Sequence, residues 1–99
     1  MSVDETEKMA VMDRWLGEVC RELGVDRAVL DANTVGLLGL IKDVAHGPSR
    51  PGAPMTAFLI GLASGAAAAD TAGQVTGVAE RLATVTRLVE SWDASVTQA

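Results

Sequence analysis

The residues with the clearest chemical potential lie in one stretch of nine, His46-Gly-Pro-Ser-Arg50-Pro-Gly-Ala-Pro54. Prolines and glycines constrain or bend the backbone there, and His46 and Arg50 supply its ionisable side chains. Arg50 precedes a predicted helix whose first free N–H groups, around Thr56, favour a phosphate or a carboxylate. His46, Arg50 and Thr56 are therefore the candidate residues for binding a small anion such as a phosphate or a carboxylate.

A structural role competes with this interpretation. Arg50 can instead pair with Asp43, or cap the last carbonyls of the preceding helix, and so hold the connector in place. The prolines favour this structural role, because they supply rigidity first. The connector residues are then Asp43, Gly47, Pro48, Pro51 and Pro54.

Catalysis and metal binding are not expected. Asp43, His46 and Ser49 provide an acid, a base and a nucleophile on paper, but working triads converge from separate elements. At the end of one helix, His46 more naturally interacts with terminal carbonyls and the negative end of the dipole. One histidine and the distant Cys20 cannot supply the three or four ligands that zinc prefers. The sequence predicts no enzyme, no metal and no cofactor.

Composition excludes further classes of protein. The chain has 99 residues, a formal net charge of −5 and no basic cluster, so nucleic acid is not an expected partner. The lone Cys20 cannot form an internal disulfide, and the chain has no signal-like start, which favours the cytoplasm. The stretch Pro51–Ala69 is uncharged, but Pro54 interrupts it and alanines dilute its end, so no membrane span is expected. One domain, 1–99, is predicted.

Hydrophobic periodicity predicts four main helices. The first should run from about Glu5 to Leu23, with Asp4 and Glu7 as a capping box and Gly24 ending it. We expect its apolar stripe to be buried, with Trp15 covering the edge. The stripe consists of Met9, Met12, Leu16, Val19, Cys20 and Leu23.

The second helix should follow a short turn or a single helical turn over 25–30, be capped by Asp31 or Asn33, and stop at Gly47. Pro54 suits the first turn of the third helix, which ends at Gly65 or continues through the alanines 66–69. Thr71 with Gln74 has capping-box spacing and starts the fourth helix. The larger side chains of the third helix are Met55, Phe58, Leu59 and Leu62, and the stripe of the fourth is Val75, Val78, Leu82, Val85, Val89 and Trp92.

These elements predict an all-α fold, a compact antiparallel bundle of four main helices. Glycines inside helices cost about 1 kcal/mol each relative to alanine, and close helix packing is the simplest compensation. We expect Gly36 and Gly39 of the second helix to face Gly61, with Ala63 or Gly65, of the third. Excess apolar surface and Trp92 make a homodimer plausible.

The chain also resembles a known family. The resemblance is carried by Asp43-Val-Ala-His46-Gly-Pro-Ser-Arg50-Pro51-Gly-Ala-Pro54-Met-Thr-Ala-Phe58-Leu-Ile-Gly61. This segment resembles an uncharacterised family of small helical bacterial domains, found alone or joined to molybdenum-cofactor guanylyltransferase-like proteins. Trp15-Leu16, Leu23-Gly24 and the acidic, alanine-rich last helix extend the resemblance over most of the chain, whereas Gly52 and the alanines 66–69 depart from it.

The resemblance implies an accessory role, such as docking onto an enzyme of molybdenum-cofactor biosynthesis or holding a phosphate-bearing pterin near His46 and Arg50. The chain has no glycine-rich nucleotide loop after a strand, so it is not itself the transferase domain. The first hypothesis is a non-enzymatic, homodimeric interaction or accessory domain. The alternative is a small anion-binding protein that uses the connector from His46 to Thr56.

Overall fold

The computed structural model describes the backbone of residues 3–98 and the side chains of residues 4–92. Residues 3–98 contain helices and connecting turns but no strand. The predicted all-α bundle with four main helices is therefore confirmed. The helices are α1 (Val3–Leu23), α2 (Arg27–His46), α3 (Gly52–Ala67) and α4 (Thr71–Gln98).

The two ends of α1 differ in how well local signals predicted them. The helix begins at Val3, so Asp4 lies in its first turn, and the prediction that Asp4 caps it is wrong. Gly24 follows the last residue with a φ of 68°. This is the left-handed conformation that glycine adopts without steric cost at a helix end. The predicted end of α1 is confirmed.

Helix α2 begins earlier than predicted. Asp26 is its N-cap, and the Asp26 Oδ1 atom accepts a hydrogen bond from the Ala28 N–H at 2.9 Å. The predicted caps, Asp31 and Asn33, are wrong because both residues lie inside the helix. The stretch 25–30, predicted as a short turn or a single helical turn before α2, contains the first turn of α2 itself.

The connector between α2 and α3 has the predicted bounds. Helix α2 ends at His46, and the Gly47 N–H donates to the Asp43 carbonyl at 2.9 Å. The Ser49 Oγ atom accepts a hydrogen bond from the first N–H of α3 at 3.2 Å. Pro54 lies in the first turn of α3, where a residue without an N–H removes no helical hydrogen bond.

The turn between α3 and α4 departs from the predicted capping box. α3 ends two residues after Gly65, and Ala68 is extended. α4 begins at Thr71, as predicted. The side chains of the expected box bond elsewhere: Gln74 Nε2 donates to the Ala68 carbonyl at 3.0 Å, and Thr71 Oγ1 to Asp26 Oδ2 at 3.2 Å. The start of α4 is therefore tied to the start of α2.

The core lies between α2, α3 and α4, and α1 contributes no buried apolar side chain to it among the described residues. Asn33 is the buried polar residue between α2 and α4. Its Nδ2 atom donates to the Val29 carbonyl of its own helix at 3.0 Å and to the Val75 carbonyl of α4 at 3.3 Å. The buried apolar side chains are Leu40, Val44, Ala53, Ile60, Leu82 and Val89.

The predicted glycine contact between α2 and α3 is wrong. A Cβ atom built on Gly39, Gly61 or Gly65 would meet no neighbouring atom within 4 Å. One built on Gly36 would lie 3.2 Å from Leu82 Cδ1, which belongs to α4 rather than α3. The reason is that larger side chains fill the core between α2 and α3, so those two helices do not meet at their glycines.

The predicted burial of the α1 stripe is wrong, because none of its six members is fully buried. Met9, Met12 and Leu23 are exposed, and Trp15 beside them is 64% exposed. Cys20 is a free thiol that is half-buried rather than buried. The remaining half-buried members are Leu16 and Val19. An apolar face of α1 is thus left without a partner in the bundle.

Candidate functional site

Helix α3 buries one face and leaves its larger apolar stripe exposed. Ala53, Ile60 and Ser64 form the buried face. The outward stripe has helical spacing of three and four residues, so its members lie on one side of the helix. α3 also carries no charged residue along its 16 positions. The outward stripe consists of Met55, Phe58, Leu59 and Leu62, each between 59% and 66% exposed.

Beside this stripe, α3 and α4 enclose an open groove of about 450 Å³. Leu88 and Trp92 of α4 line it, and both are more than half exposed. Pro48 and Ser49 of the connector line it as well. The buried residues in its lining are Val44, Ile60 and Val89. The groove is therefore an accessible extension of the apolar core.

Arg81 is the one charged residue among the described residues that line the groove. Its Nη1 atom donates to the Gly77 carbonyl of its own helix at 3.1 Å. A guanidinium has five N–H donors in a planar fork, and its other donors have no acceptor among the described residues. Arg81 can therefore receive a carboxylate from a molecule that occupies the groove.

Two threonines of the groove use their hydroxyl hydrogens within their own helices. Thr56 Oγ1 donates to the Gly52 carbonyl at 2.8 Å, and Thr84 Oγ1 donates to the Glu80 carbonyl at 3.1 Å. Each hydroxyl hydrogen is thus already committed to a helical carbonyl. The groove offers apolar contact along its length and charge at Arg81.

The predicted anion-binding residues are only partly brought together. Thr56 lines the groove, whereas His46 and Arg50 are exposed and do not line it. Neither of these two side chains forms a hydrogen bond or an ion pair with a described residue. The structural alternative predicted that Arg50 could pair with Asp43. This ion pair is absent from the described residues. The anion site itself stays a prediction.

The connector residues act mainly through the backbone. Asp43 is exposed, and its carbonyl accepts the Gly47 N–H. Pro51 occupies the N-cap position of α3 with a φ of −70°, without a side-chain cap. Pro48 contributes to the groove. No hydrogen bond joins the side chains of Asp43 and His46, so the described residues show no catalytic relay.

Arg27 links α1 to α2. Its Nη2 atom lies 2.8 Å from Asp13 Oδ1, its Nη1 atom donates to the Asp13 carbonyl at 3.0 Å, and its Nε atom donates to Asp31 Oδ1 at 3.1 Å. Desolvation by itself would lower the pKa of Arg27. The hydrogen bonds and negative charges of Asp13 and Asp31 outweigh it, so the pKa lies above its ordinary value. The middle of α1 is thus held at the start of α2.

Metal-binding clusters and membrane-spanning helices are both absent from the described part of the chain. No three His, Cys, Asp or Glu side chains there lie close enough together to hold a metal ion. No helix within the described residues has both the length and the apolar character that crossing a bilayer requires.

The fold and the groove define this protein as an all-α domain with an accessible apolar groove. The chain belongs to the family described as Domain of unknown function (DUF6457), which matches residues 7–97. The prediction that it is a member of an uncharacterised family of small domains is thereby confirmed. No curated protein and no solved structure matches the chain.

Sequence reasoning missed the groove, although one signal pointed towards it. The larger side chains of α3 lie on its outward stripe, whereas Ile60 and Ser64 face inward. An uncharged helix with a continuous stripe of large side chains and a second apolar face has more apolar surface than one bundle can bury. That surplus was visible in the sequence between residues 52 and 67.

Proposed function

We propose that this protein is a non-enzymatic helical interaction domain whose α3–α4 groove binds an amphipathic helix of a protein partner. The observation that carries the proposal is the outward stripe of α3, from Met55 to Leu62, lying exposed beside the groove. Monomeric soluble proteins rarely expose contiguous apolar patches larger than a few hundred Å², and larger ones mark interaction surfaces.

The shape of the surface supports a helix as the occupant. The α3 stripe has the spacing of a helix–helix seam, and Leu88 and Trp92 lie four residues apart on α4. A groove with an apolar ridge on each side accepts a third helix through that helix's own residues at i, i+3, i+4 and i+7. Arg81 adds a position for a carboxylate on the flank of that helix.

The family resemblance supports an accessory role for this binding surface. We propose a role in molybdenum-cofactor biosynthesis, where a guanylyltransferase-like protein is the enzyme to test as a partner. We also propose that this role is cytoplasmic, since Cys20 is a free thiol with no cysteine to pair with. Identification of the bound partner tests both proposals.

The experiment is site-specific photo-crosslinking in the cells that make the protein. A photoreactive phenylalanine analogue is placed at Leu59 or at Leu88, and at Val35 as a matched control. Val35 is an apolar residue of α2 that is 89% exposed and lies outside the groove. We expect covalent protein adducts from positions 59 and 88 and none from position 35. Absence of groove adducts, or equal adducts from all three positions, overturns the proposal.

A second candidate function is binding of a small anion at the connector. It is favoured by the side chains of His46 and Arg50, which are exposed and form no hydrogen bond or ion pair with a described residue. Arg50 lies two residues before Gly52, at the positive end of the α3 dipole, which attracts negative charge.

A further inference from the structure

We infer that the groove between α3 and α4 binds helix α1 of a second copy of this chain, in a reciprocal dimer. The inference rests on the proposed function and names the partner of that same groove. α1 has the required character: Met9, Val11, Met12 and Trp15 form a broad apolar face, and all four are exposed. In each chain, the exposed apolar face of α1 packs against no other described helix, and no described helix occupies the groove between α3 and α4.

The chain's own α1 is held away from its own groove. Asp13, between Met12 and Trp15 on that exposed segment, is fastened to Arg27 at the start of α2. The groove includes Val44, which lies seventeen residues further along α2 than Arg27. At 1.5 Å per residue, this separation is about 25 Å.

The junction between α1 and α2 adds a second constraint. Only three residues separate the two helices. The first of them, Gly24, is held in the left-handed conformation, and the last, Asp26, is bonded to Ala28 and to Thr71 of α4. A helix fixed in this way can reach a neighbouring molecule more readily than the far end of its own bundle.

The accessible surface of the chain is larger than expected for a folded monomer of its mass. The accessible surface of the chain is 7006 Å², whereas a folded monomer of this mass is expected to have about 5,300 Å². The radius of gyration is 15.1 Å, compared with about 12.6 Å for a globule of this length. The surplus area of roughly 1,700 Å² exceeds the roughly 800 Å² that each partner buries in a standard stable interface.

The charges of the two surfaces are complementary. α1 carries six acidic and three basic residues. The groove is lined by Arg81, and Arg87 on the same helix donates to Thr84 at its edge at 3.4 Å. An acidic helix therefore meets Arg81, whose remaining N–H donors can pair with its carboxylates. Two-fold symmetry makes the contact occur twice, and the assembly closes as a dimer.

Light scattering coupled to size-exclusion chromatography tests the inference on the purified full chain. We expect wild type to have twice the chain mass of 10.2 kDa. Met12→Asp alters only the α1 face, and Leu88→Asp alters only the groove. Each should raise the dimer Kd at least about 100-fold, because it places a charge in an apolar contact. Val35→Asp, at a more exposed apolar position outside both surfaces, should remain dimeric.

Mixing distinguishes a reciprocal contact from other dimers. In a mixture of Met12→Asp and Leu88→Asp, the intact α1 of the second variant can bind the intact groove of the first. The mixture should therefore show a heavier species than either variant alone. Circular dichroism confirms that both variants remain helical; if either has unfolded, Met9→Glu and Leu59→Glu replace them.

The outcomes separate this inference from the proposed function. A monomeric wild type, variants that stay dimeric, or two monomeric variants that fail to complement each overturn the α1 exchange. Groove adducts with a different protein at positions 59 and 88 would then still support the proposed function. Adducts with a second copy of this chain support both.

Discussion

Ser64 of α3 packs directly against Gly77 of α4. A Cβ atom built on Gly77 would lie 3.9 Å from Ser64 Cβ and 4.0 Å from Ser64 Cα, and the Ser64 side chain is almost completely buried. A serine and a glycine thus allow the two backbones to approach closely. This contact turns the small face of α3 towards α4 and leaves the stripe of Met55 and Phe58 on the outside.

Enlarging Ser64 should therefore separate the two helices. We expect Ser64→Leu to lower the free energy of unfolding by about 1–3 kcal/mol, as overpacking of a well-filled contact does. Ser64→Ala is the matched control, because it keeps the volume and removes a hydroxyl that bonds only to the Ile60 carbonyl of its own helix. It should cost less than about 1 kcal/mol. Urea denaturation at fixed protein concentration measures both, and equal losses would contradict the packing argument.

Asn33 should be a specific link between α2 and α4. Asn33→Ala removes a buried hydrogen bond to Val75 and should lower the free energy of unfolding by about 1–2 kcal/mol. Asn33→Asp should cost more, since its carboxylate would face two carbonyl oxygens without a donor. The control is Thr34→Ala, whose hydroxyl bonds only within α2 to the Leu30 carbonyl. A loss for Thr34→Ala as large as that for Asn33→Ala would refute the proposed link.

Replacing a glycine of this chain with alanine should raise or lower the free energy of unfolding according to the space around the new Cβ atom. Gly39→Ala should raise the free energy of unfolding by about 0.5–1 kcal/mol, because helix propensity improves and no atom lies within 4 Å of the new Cβ. Gly73→Ala should lower it, since its Cβ would lie 2.5 Å from Asp70 Oδ1 and 2.8 Å from Ala68 Cβ. Thermal melts of both variants check the opposite signs.

Arg27 should control how firmly α1 is held. Arg27→Ala removes its three contacts with Asp13 and Asp31, so amide hydrogen exchange within residues 13–23 should become several-fold faster. Exchange in α3 should not change. Arg21→Ala is the control on the same helix: it removes an ion pair with Glu18 in which both side chains are at least 60% exposed. Such pairs contribute little, so similar exchange in both variants would argue against the tether.

The anion-binding hypothesis makes a separate prediction for the connector. Phosphate, GTP or a pterin that binds the folded chain should raise its melting temperature. At a ligand concentration of ten times the Kd, the free energy of unfolding should rise by about 1.4 kcal/mol. Arg50→Ala should abolish that increase. Arg87→Ala, which removes an exposed arginine of α4, should retain it. If wild type and Arg50→Ala respond alike, the connector is not the anion site.

The sequence predicted most helix ends correctly because their signals act over a few residues. Gly24 ends α1 through its own backbone dihedral, Gly47 and Pro48 stop α2, and Pro54 fits the first turn of α3. The caps were predicted less well. Aspartate and threonine can cap a helix at several neighbouring positions, and long-range partners decide between them, as Asp26 and Thr71 show.

The site depended on contacts that no local pattern contains. Helix α3 is apolar on two faces, so its periodicity could not show which face would be buried. The close contact between Ser64 and Gly77, which are thirteen positions apart in the sequence, determines which face of α3 is buried. Exposure of Met12 and Trp15 on α1 likewise depends on Arg27, which holds the helix outside the core.

By itself, then, the sequence determined the helical class, several of the helix ends and the presence of surplus apolar surface, because propensity, caps and composition act locally. Only the tertiary structure decided where that surplus lies. Rotation of α3 against α4 and the position of α1 follow from close contacts between distant residues, such as Ser64 with Gly77 and Arg27 with Asp13. Those contacts leave a groove and an unpartnered helix on the surface.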